Sequence, residues 1–294
     1  MRITNTMMTD SAIRYMNESK ERLVEYQEMV SSGKAFQKMS DDPSRAAAAM
    51  GLRSSLNTNE AYTNTAENVS DWMSANETAF SSIVDLMTRA RNLVLQGQSD
   101  TLSAKERTAL GTELASIVHN AVDVVNSSVN GRFLFGGYQT GKVPFTMDPA
   151  GTAVTYNGDN GVMTQEIGPG QSILINFPGN STFAEMFNAM IKARDDLLNN
   201  NSANLETRLS ELASATATVT TIRTTNSTRL NQVTTGLDSL EKAKIEIKSL
   251  LSKKEDANLA EAISYLSNQE SVYQTVLEVS QRAISSMNLF DVIG

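Results

Sequence analysis

Few residues in this chain could carry out chemistry. His119 is the only histidine among 294 residues, and the sequence contains no cysteine. The absence of cysteine excludes disulfides, thiol nucleophiles and thiolate metal sites, and a single imidazole cannot build a histidine-based metal cluster. His119 follows Ile117 and Val118 in a segment with helical periodicity. We therefore interpret it as a packed or partly exposed helix residue.

Neighbouring carboxylates are the next candidates. They occur as Asp41-Asp42 and as Asp195-Asp196, but adjacent residues on a helix do not face each other. The first pair precedes Pro43, which predicts a helix N-terminal cap. The segment Asn-Gly-Asp-Asn-Gly at 157–161 resembles a calcium loop without its closing bidentate Glu, so we interpret it as a hairpin turn. The sequence predicts no catalytic residue, no cofactor and no metal site.

Charge and hydropathy exclude further classes of partner. The formal net charge is −8, and phosphate binding requires clustered Lys and Arg, so nucleic acid is not an expected partner. No stretch approaches the ~18 apolar residues of a membrane span, so membrane insertion is not expected. Residues 1–8 lack the apolar core and the small-residue cleavage site of a signal peptide. Export by a cleavable signal is therefore not expected either.

Turn-forming residues are concentrated in one region. Four of the five prolines and nine glycines lie between residues 132 and 180. Within this region the segments 153–156 and 162–165 flank the turn at 157–161, and 172–177 has the pattern of a third strand. The sequence therefore predicts a small β-rich insert at 132–180.

The flanking arms follow a three–four spacing of apolar residues. One helix is predicted from Pro43 to Gly97, and a second begins at Ser103, with a capping box to Glu106, and ends at Gly131. A short helix at 183–197 and a long one at 205–251 follow the insert. The first helix carries the clearest stripe, with one polar member: Ala66, Val69, Met73, Asn76, Phe80, Ile83, Met87, Ala90 and Val94.

These elements predict a mainly α fold. A long stripe of apolar residues on one helix requires another long helix to cover it. Both chain ends should therefore form an antiparallel helical bundle or coiled coil, with the β-rich insert in the middle. We predict three parts: residues 1–42 with 253–294 as a terminal coiled-coil assembly domain, 43–131 with 181–252 as a helical rod, and 132–180 as an outer β-rich domain.

Each end of the chain carries a stripe of apolar residues, and the sequence offers no further segment that could cover these two stripes. They can pair with each other, and leftover apolar surface should bind neighbouring subunits. The stripes are interrupted by Lys20, Gln27, Glu270 and Ser280. The predicted assembly interface comprises Ile13, Met16, Leu23, Val30, Leu259, Ile263, Leu266, Tyr273, Leu277, Ile284, Met287, Leu289 and Phe290.

Several short motifs resemble a known family. They are Met-Arg-Ile-Thr at 1–4, Ser-Asp-Asp-Pro at 40–43, Asn-Gly-Arg-Phe-Leu-Phe-Gly-Gly-Tyr at 130–138 and Leu-Phe-Asp at 289–291. In these segments the chain resembles the FlgL family of flagellar hook-associated proteins, relatives of flagellin. The segment at 87–93 is similar across flagellins in general, whereas the tetrad at 40–43 and the ending favour the FlgL family.

The resemblance implies a structural role at the hook–filament junction of the bacterial flagellum. It also implies secretion through the flagellar type III export apparatus, with an export chaperone before assembly. The implied partners are another hook-associated junction protein, flagellin, and further copies of the chain in a ring-like helical layer.

Two other classes of function remain open from the sequence. Flagellin itself, the bulk filament subunit, is the alternative within the same family. An enzyme acting in the filament, with the insert as its catalytic part, is the alternative from another class. The insert contains neither His nor Cys, which argues against that enzyme.

Overall fold

The structure is a computed structural model that describes residues 5–291, with side chains described at Met7 and from residue 10 to 282. This part of the chain forms six α-helices and six short strands, which confirms the mainly α fold with a β-rich middle. The helices are α1 (Asn5–Ser32), α2 (Pro43–Gly97), α3 (Ala104–Val125), α4 (Gly179–Leu198), α5 (Leu205–Glu255) and α6 (Leu259–Asp291). The strands are β1 (Ser128–Val129), β2 (Arg132–Phe133), β3 (Phe145–Met147), β4 (Val154–Tyr156), β5 (Thr164–Gly168) and β6 (Gln171–Leu174).

Local signals set the ends of the long helix α2. The Asp42 side chain accepts a hydrogen bond from the Arg45 main-chain N at 2.9 Å, so the predicted cap before Pro43 is confirmed. The 55 residues of α2 extend about 80 Å and end at the predicted glycine. A Cβ at Gly97 would meet the end of the Leu197 side chain, so a larger residue here would require that side chain to shift.

The start of α3 was predicted correctly and its end was not. The Ser103–Glu106 capping box is present in both directions. However, α3 ends at Val125, because the Asn126 side chain exchanges hydrogen bonds of 2.9 and 3.0 Å with the main chain of Phe145. Asn130 and Gly131 then adopt positive φ angles of 50° and 76° in the turn between β1 and β2. Gly131 is thus a hairpin residue and not a helix terminator.

The described chain divides into two compact units. One comprises Met1–Thr58 with Lys244–Gly294, and the other comprises Asn59–Ala243. The region 132–180 lies within the second unit, together with helical segments. The three-part division expected from the sequence therefore stays a prediction.

Antiparallel packing of α2 on α5 organises the second unit. Every member of the predicted α2 stripe from Ala66 to Val94 is buried. The Asn226 side chain on α5 donates to the Met73 carbonyl at 3.0 Å, and Asn59 on α2 donates to the Leu240 carbonyl at 3.2 Å. Between these two contacts the residue number decreases along α5 as it increases along α2. The two helices are therefore antiparallel, which confirms the predicted arrangement in this unit.

The strand pairing differs from the prediction. The expected hairpin of 153–156 with 162–165 does not form, because β4 pairs with β3 and β5 pairs with β6. The Asp159 carboxylate accepts hydrogen bonds from the main-chain N of Tyr138 at 2.8 Å and of Gly161 at 2.7 Å. The loop at 157–161 is thus held by a distant segment and is not a turn between paired strands.

Aromatic side chains join the β region to the helices. The Phe80 ring on α2 lies 5.4 Å from Phe135 and 5.5 Å from Phe177, measured between ring centroids. Phe183 on α4 lies 4.9 Å from Phe135 in an edge-to-face arrangement. The region between the helical arms therefore supplies part of the helical core.

Side chains of β5 and β6 cover a second part of the contact between α2 and α5, near Val69 and Val233. Ile167 on β5 and Ile173 on β6 are buried in a cluster that includes Val69 and Val233. The Tyr62 hydroxyl on α2 donates to the Glu166 carboxylate at 3.2 Å. Nearby, the Arg132 guanidinium lies 5.5 Å from the centre of the buried Trp72 ring, which is the only tryptophan of the chain.

Replacement of Phe145 tests whether the β region belongs to the core. Phe145 on β3 is buried, with its ring 5.0 Å from Tyr156 and 5.5 Å from Phe187 between centroids. Phe145→Ala should lower the free energy of unfolding by about 3–5 kcal/mol because it leaves a cavity. Urea unfolding followed by far-UV circular dichroism measures this, with the exposed Val143→Ala as the control. A loss below about 1 kcal/mol would show that the helices fold without this region.

Candidate assembly surface

The terminal helices α1 and α6 form an antiparallel pair within the first unit. The Gln269 amide on α6 donates to the main-chain O of Ser19 at 3.1 Å and to its hydroxyl at 3.0 Å. The rings of Tyr26 and Tyr265 lie 5.7 Å apart between centroids. The predicted pairing of the two chain ends is thus confirmed for the described residues.

Small and polar side chains line the seam of this pair. Ser19 on α1 is buried, and so are Ala262 and Ser280 on α6. Among the side chains described in the two helices, no large apolar one is fully buried. Since burial of apolar area is the main favourable term in helix packing, the pair has little stability of its own.

The predicted interface residues fall into three groups. Ile13, Leu259 and Ile263 are exposed. Half-buried positions are Met16, Leu23, Val30, Leu266, Tyr273 and Leu277. The side chains of Ile284, Met287, Leu289 and Phe290 lie outside the described ones. Four polar residues were expected to interrupt the apolar stripes. Lys20, Gln27 and Glu270 are exposed, whereas Ser280 is buried.

An apolar groove runs along one side of the pair, and the sequence reasoning missed it. It has a volume of about 840 Å³. Its apolar walls come from Met7 and Tyr15 on α1 and from Val272, Val276 and Val279 on α6. The side chain of Val279 is 60 % exposed. The spacing 272, 276 and 279 forms a second three–four stripe beside the predicted one, and this signal could have identified the groove.

The connectors at the other end of the pair bind each other through their main chains. Ala35 N donates to the Glu255 carbonyl at 2.7 Å, and Ala257 N donates to the Gly33 carbonyl at 2.9 Å. These bonds form an antiparallel bridge between Lys34 and Asp256. Gly33 adopts a φ of 70°, a conformation in which glycine is favoured. The connector after α1 is therefore fixed to the end of α5.

A buried carboxylate lies at this bridge. The Glu255 side chain is 6 % exposed and lies 2.7 Å from Arg53 Nε and 3.3 Å from Lys34 Nζ. Hydrogen bonds from Arg53 and then from Lys34 hold the pKa of Glu255 below its ordinary value of 4.5. The hydrogen bond to Asp256 raises the pKa of Lys34 above its ordinary 10.5. The charges at the bridge thus stabilise each other at neutral pH.

Two kinds of feature are absent from the described residues. They contain no group of three or more His, Asp or Glu side chains that could hold a metal ion. His119 is exposed on α3. Across the residues searched, no helix is both long and apolar enough to span a membrane. The terminal pair presents exposed apolar side chains on both of its helices.

Comparison with known families finds the bacterial flagellin N-terminal helical region at residues 3–140. Flagellar hook-associated protein 3 of Salmonella typhimurium is 27 % identical over 191 residues, which cover 65 % of this chain and 58 % of that protein. The Escherichia coli protein of the same name is 26 % identical over 184 residues, covering 62 % of this chain and 57 % of that protein. The match thus spans somewhat more than half the length of these relatives.

Solved structures have the same fold. A protein assigned as a flagellar hook-associated protein in Vibrio parahaemolyticus superposes with a TM-score of 0.67 at 19 % identity, over 74 % of this chain and 100 % of that one. FlgL of Bacillus cereus superposes with a TM-score of 0.62 at 20 % identity, over 69 % of this chain and 99 % of that one.

The Glu255 cluster predicts how the first unit responds to acid. Because the folded-state pKa of Glu255 lies below its ordinary 4.5, its contribution to stability is present above that pH and is lost as the pH falls through the folded-state value. Thermal unfolding of the wild type and of Glu255→Gln between about pH 3 and pH 7 measures this contribution. The wild type should be more stable at neutral pH, and the difference should close in acid. A difference that does not change with pH would contradict the assignment.

Proposed function

We propose that this chain, a relative of flagellar hook-associated protein 3 with a flagellin-type N-terminal region, is a structural junction protein of the bacterial flagellum. It connects the hook, through another hook-associated protein, to the flagellin filament. The observation that carries this proposal is the α1–α6 pair. This pair buries no large apolar side chain among those described and leaves an apolar groove open.

Assembly would complete the packing that the free pair lacks. Exposed Ile13, Tyr15, Ile263 and Val279 offer apolar area on both helices. Burial of such area stabilises contacts by about 25 cal/mol per Å². Neighbouring copies in a ring-like helical layer cover these side chains together with the predicted interface residues. The function is therefore mechanical, because it arises from association between subunits.

The same proposal specifies where the protein is located and how it is exported. The chain is secreted through the flagellar type III export apparatus, with an export chaperone before assembly, and resides at the hook–filament junction. Its partners there are another hook-associated protein on one side and flagellin on the other. The resemblance of residues 40–43 and 289–291 to the FlgL family supports this assignment.

The alternatives have less support. The flagellin N-terminal region at 3–140 fits both flagellin and its relatives, but both curated relatives reported above are hook-associated proteins. A catalytic role for the region 132–180 is disfavoured because its aromatic side chains are used in the core with Phe80. We therefore propose that the chain is not an enzyme and uses no cofactor.

Deletion of the gene tests the junction role directly. Cells without the protein should make hooks that carry no filaments and should release flagellin into the medium. Electron microscopy of the cells and analysis of the medium measure both effects. The matched control is the same strain with the gene restored. Normal filaments in the deletion strain would exclude a junction role, and hooks of abnormal length would indicate an earlier role in assembly.

A charge placed in the groove tests the surface. Val279→Asp should leave the free chain folded because this side chain is exposed, but burying an unpaired carboxylate in an assembled layer costs several kcal/mol. Swimming should be lost while secretion persists. Gln274→Asp adds the same charge at an exposed position outside the groove and should swim. Normal swimming of Val279→Asp would show that this groove is not an assembly surface.

A further inference from the structure

Three Asn-Gly pairs lie in the middle region of the chain, at 130–131, 157–158 and 160–161. An asparagine followed by glycine is prone to spontaneous deamidation, because glycine has no Cβ to hinder attack of its nitrogen on the neighbouring side chain. All three asparagines are exposed. Exposure therefore does not distinguish the three pairs, and the hydrogen bonds around each pair decide how freely it can react.

The Asn157-Gly158 pair is held through its asparagine. The main-chain N of Asn157 donates to the Pro144 carbonyl at 2.8 Å, and its side-chain Nδ2 donates to the Thr146 hydroxyl at 3.0 Å. Gly158 lies so close to the Tyr156 hydroxyl that a Cβ there would collide with it. The Asn157 side chain must therefore break a hydrogen bond before it can turn toward the Gly158 nitrogen.

In the Asn160-Gly161 pair, the attacking nitrogen itself is held. Gly161 N donates to the Asp159 carboxylate at 2.7 Å, and the Gly161 carbonyl accepts a hydrogen bond from the Asn176 side chain at 2.9 Å. The Tyr138 ring lies directly against Gly161. The nitrogen therefore cannot rotate toward the Asn160 side chain without loss of these contacts.

The Asn130-Gly131 pair lacks such contacts. It forms the two-residue turn between β1 and β2, and both residues are exposed, with positive φ angles of 50° and 76°. In the part of the chain that the structure describes, no hydrogen bond engages the Asn130 side chain or the Gly131 main-chain N. A Cβ at Gly131 would meet no atom within 4 Å. The reacting groups of this pair are therefore free to move.

Opening of this turn requires little free energy. The turn must rotate out of its left-handed conformation before Gly131 N can reach the Asn130 Cγ. The two strands contribute only two residues each, Ser128–Val129 and Arg132–Phe133. A two-stranded ladder this short is only marginally stable, so the turn can open locally. The reactive geometry is thus accessible without unfolding of the helical core.

We propose that Asn130 is the site at which this chain undergoes spontaneous deamidation. The Gly131 nitrogen bonds to the Asn130 Cγ, the Cγ–Nδ2 bond breaks, and ammonia leaves with the proton that Gly131 N loses. Water then opens the succinimide ring at either of its carbonyls and yields aspartate or isoaspartate. The reaction needs no enzyme and no cofactor, and it does not depend on the proposed function.

The isoaspartate product changes the main chain as well as the charge. It inserts one methylene group into the backbone of a turn whose two residues both adopt positive φ. The segment that follows the turn leads to the buried Leu134 and Phe135, and the Phe135 ring packs on Phe80. Deamidation at Asn130 therefore alters the turn that leads the main chain into the aromatic core.

Ageing of the folded full-length chain at mildly alkaline pH tests the proposal, since base removes the proton from the attacking nitrogen. Cleavage after Lys and Arg places Asn130 on the peptide 108–132 and the other two pairs on the peptide 143–192. Tandem mass spectrometry then assigns each modified residue. Asn130 should react about tenfold faster or more than Asn157 and Asn160. In urea, where no pair is held, the three rates should become similar.

Asp159→Ala is the matched variant that tests the role of the hydrogen bonds. It removes the acceptor of Gly161 N, so deamidation at Asn160 should increase severalfold, whereas Asn130 should react as in the wild type. Equal rates at the three asparagines of the folded chain, or a slower reaction at Asn130, would overturn the proposal. A preference for Asn130 that is as large in urea as in the folded chain would also overturn it, because the local sequence would then select the site. If Asp159→Ala does not fold, the comparison of the folded and urea-treated wild type decides.

Discussion

The packing of α2 against α5 is the constraint on which the rest of the second unit depends. Helices of 55 and 51 residues carry apolar stripes that only another long helix can cover, and antiparallel pairing satisfies both. Once Met73 faces Asn226 and Phe80 points inward, the remaining elements are positioned by the gaps between these helices. The helix α4 and the aromatic residues of the middle region fill those gaps. The β region thus completes a largely helical core.

The α1–α6 pair of the first unit lacks such an apolar seam among its described side chains. Its helices pair through Ser19 and Gln269, and the large apolar side chains described along them are half-buried or exposed. A pair built in this way leaves apolar area exposed, and charged side chains join its connectors. In the proposed role, the exposed area of the first unit serves association, whereas the large buried core lies in the second unit.

How much could be predicted from the sequence varied with the distance between interacting residues. The bounds of α2, the capping box at Ser103 and the α2 stripe depend on neighbours a few residues away, and all were predicted correctly. The strand pairing was wrong although both pairs are local, because the turns that contain Pro149 and Gly151 and Pro169-Gly170 were not recognised as the hairpin turns. The contact of Asp159 with Tyr138, which holds the loop at 157–161, spans 21 residues and has no local pattern. In the terminal pair, the buried Ser280 and Ala262 were not recognised as packing residues. Small side chains carry no hydropathy signal although they permit the closest helix approach.

The single tryptophan has a practical consequence for spectroscopy. Trp72 is buried within residues 59–243, with the Arg132 guanidinium above its ring, and the first unit contains no tryptophan. Emission excited in the tryptophan band therefore originates entirely from the larger unit. Tyr15, Tyr26, Tyr265 and Tyr273 are the chromophores of the smaller one. Tryptophan fluorescence can thus follow the larger unit selectively in the unmodified chain, without any introduced label.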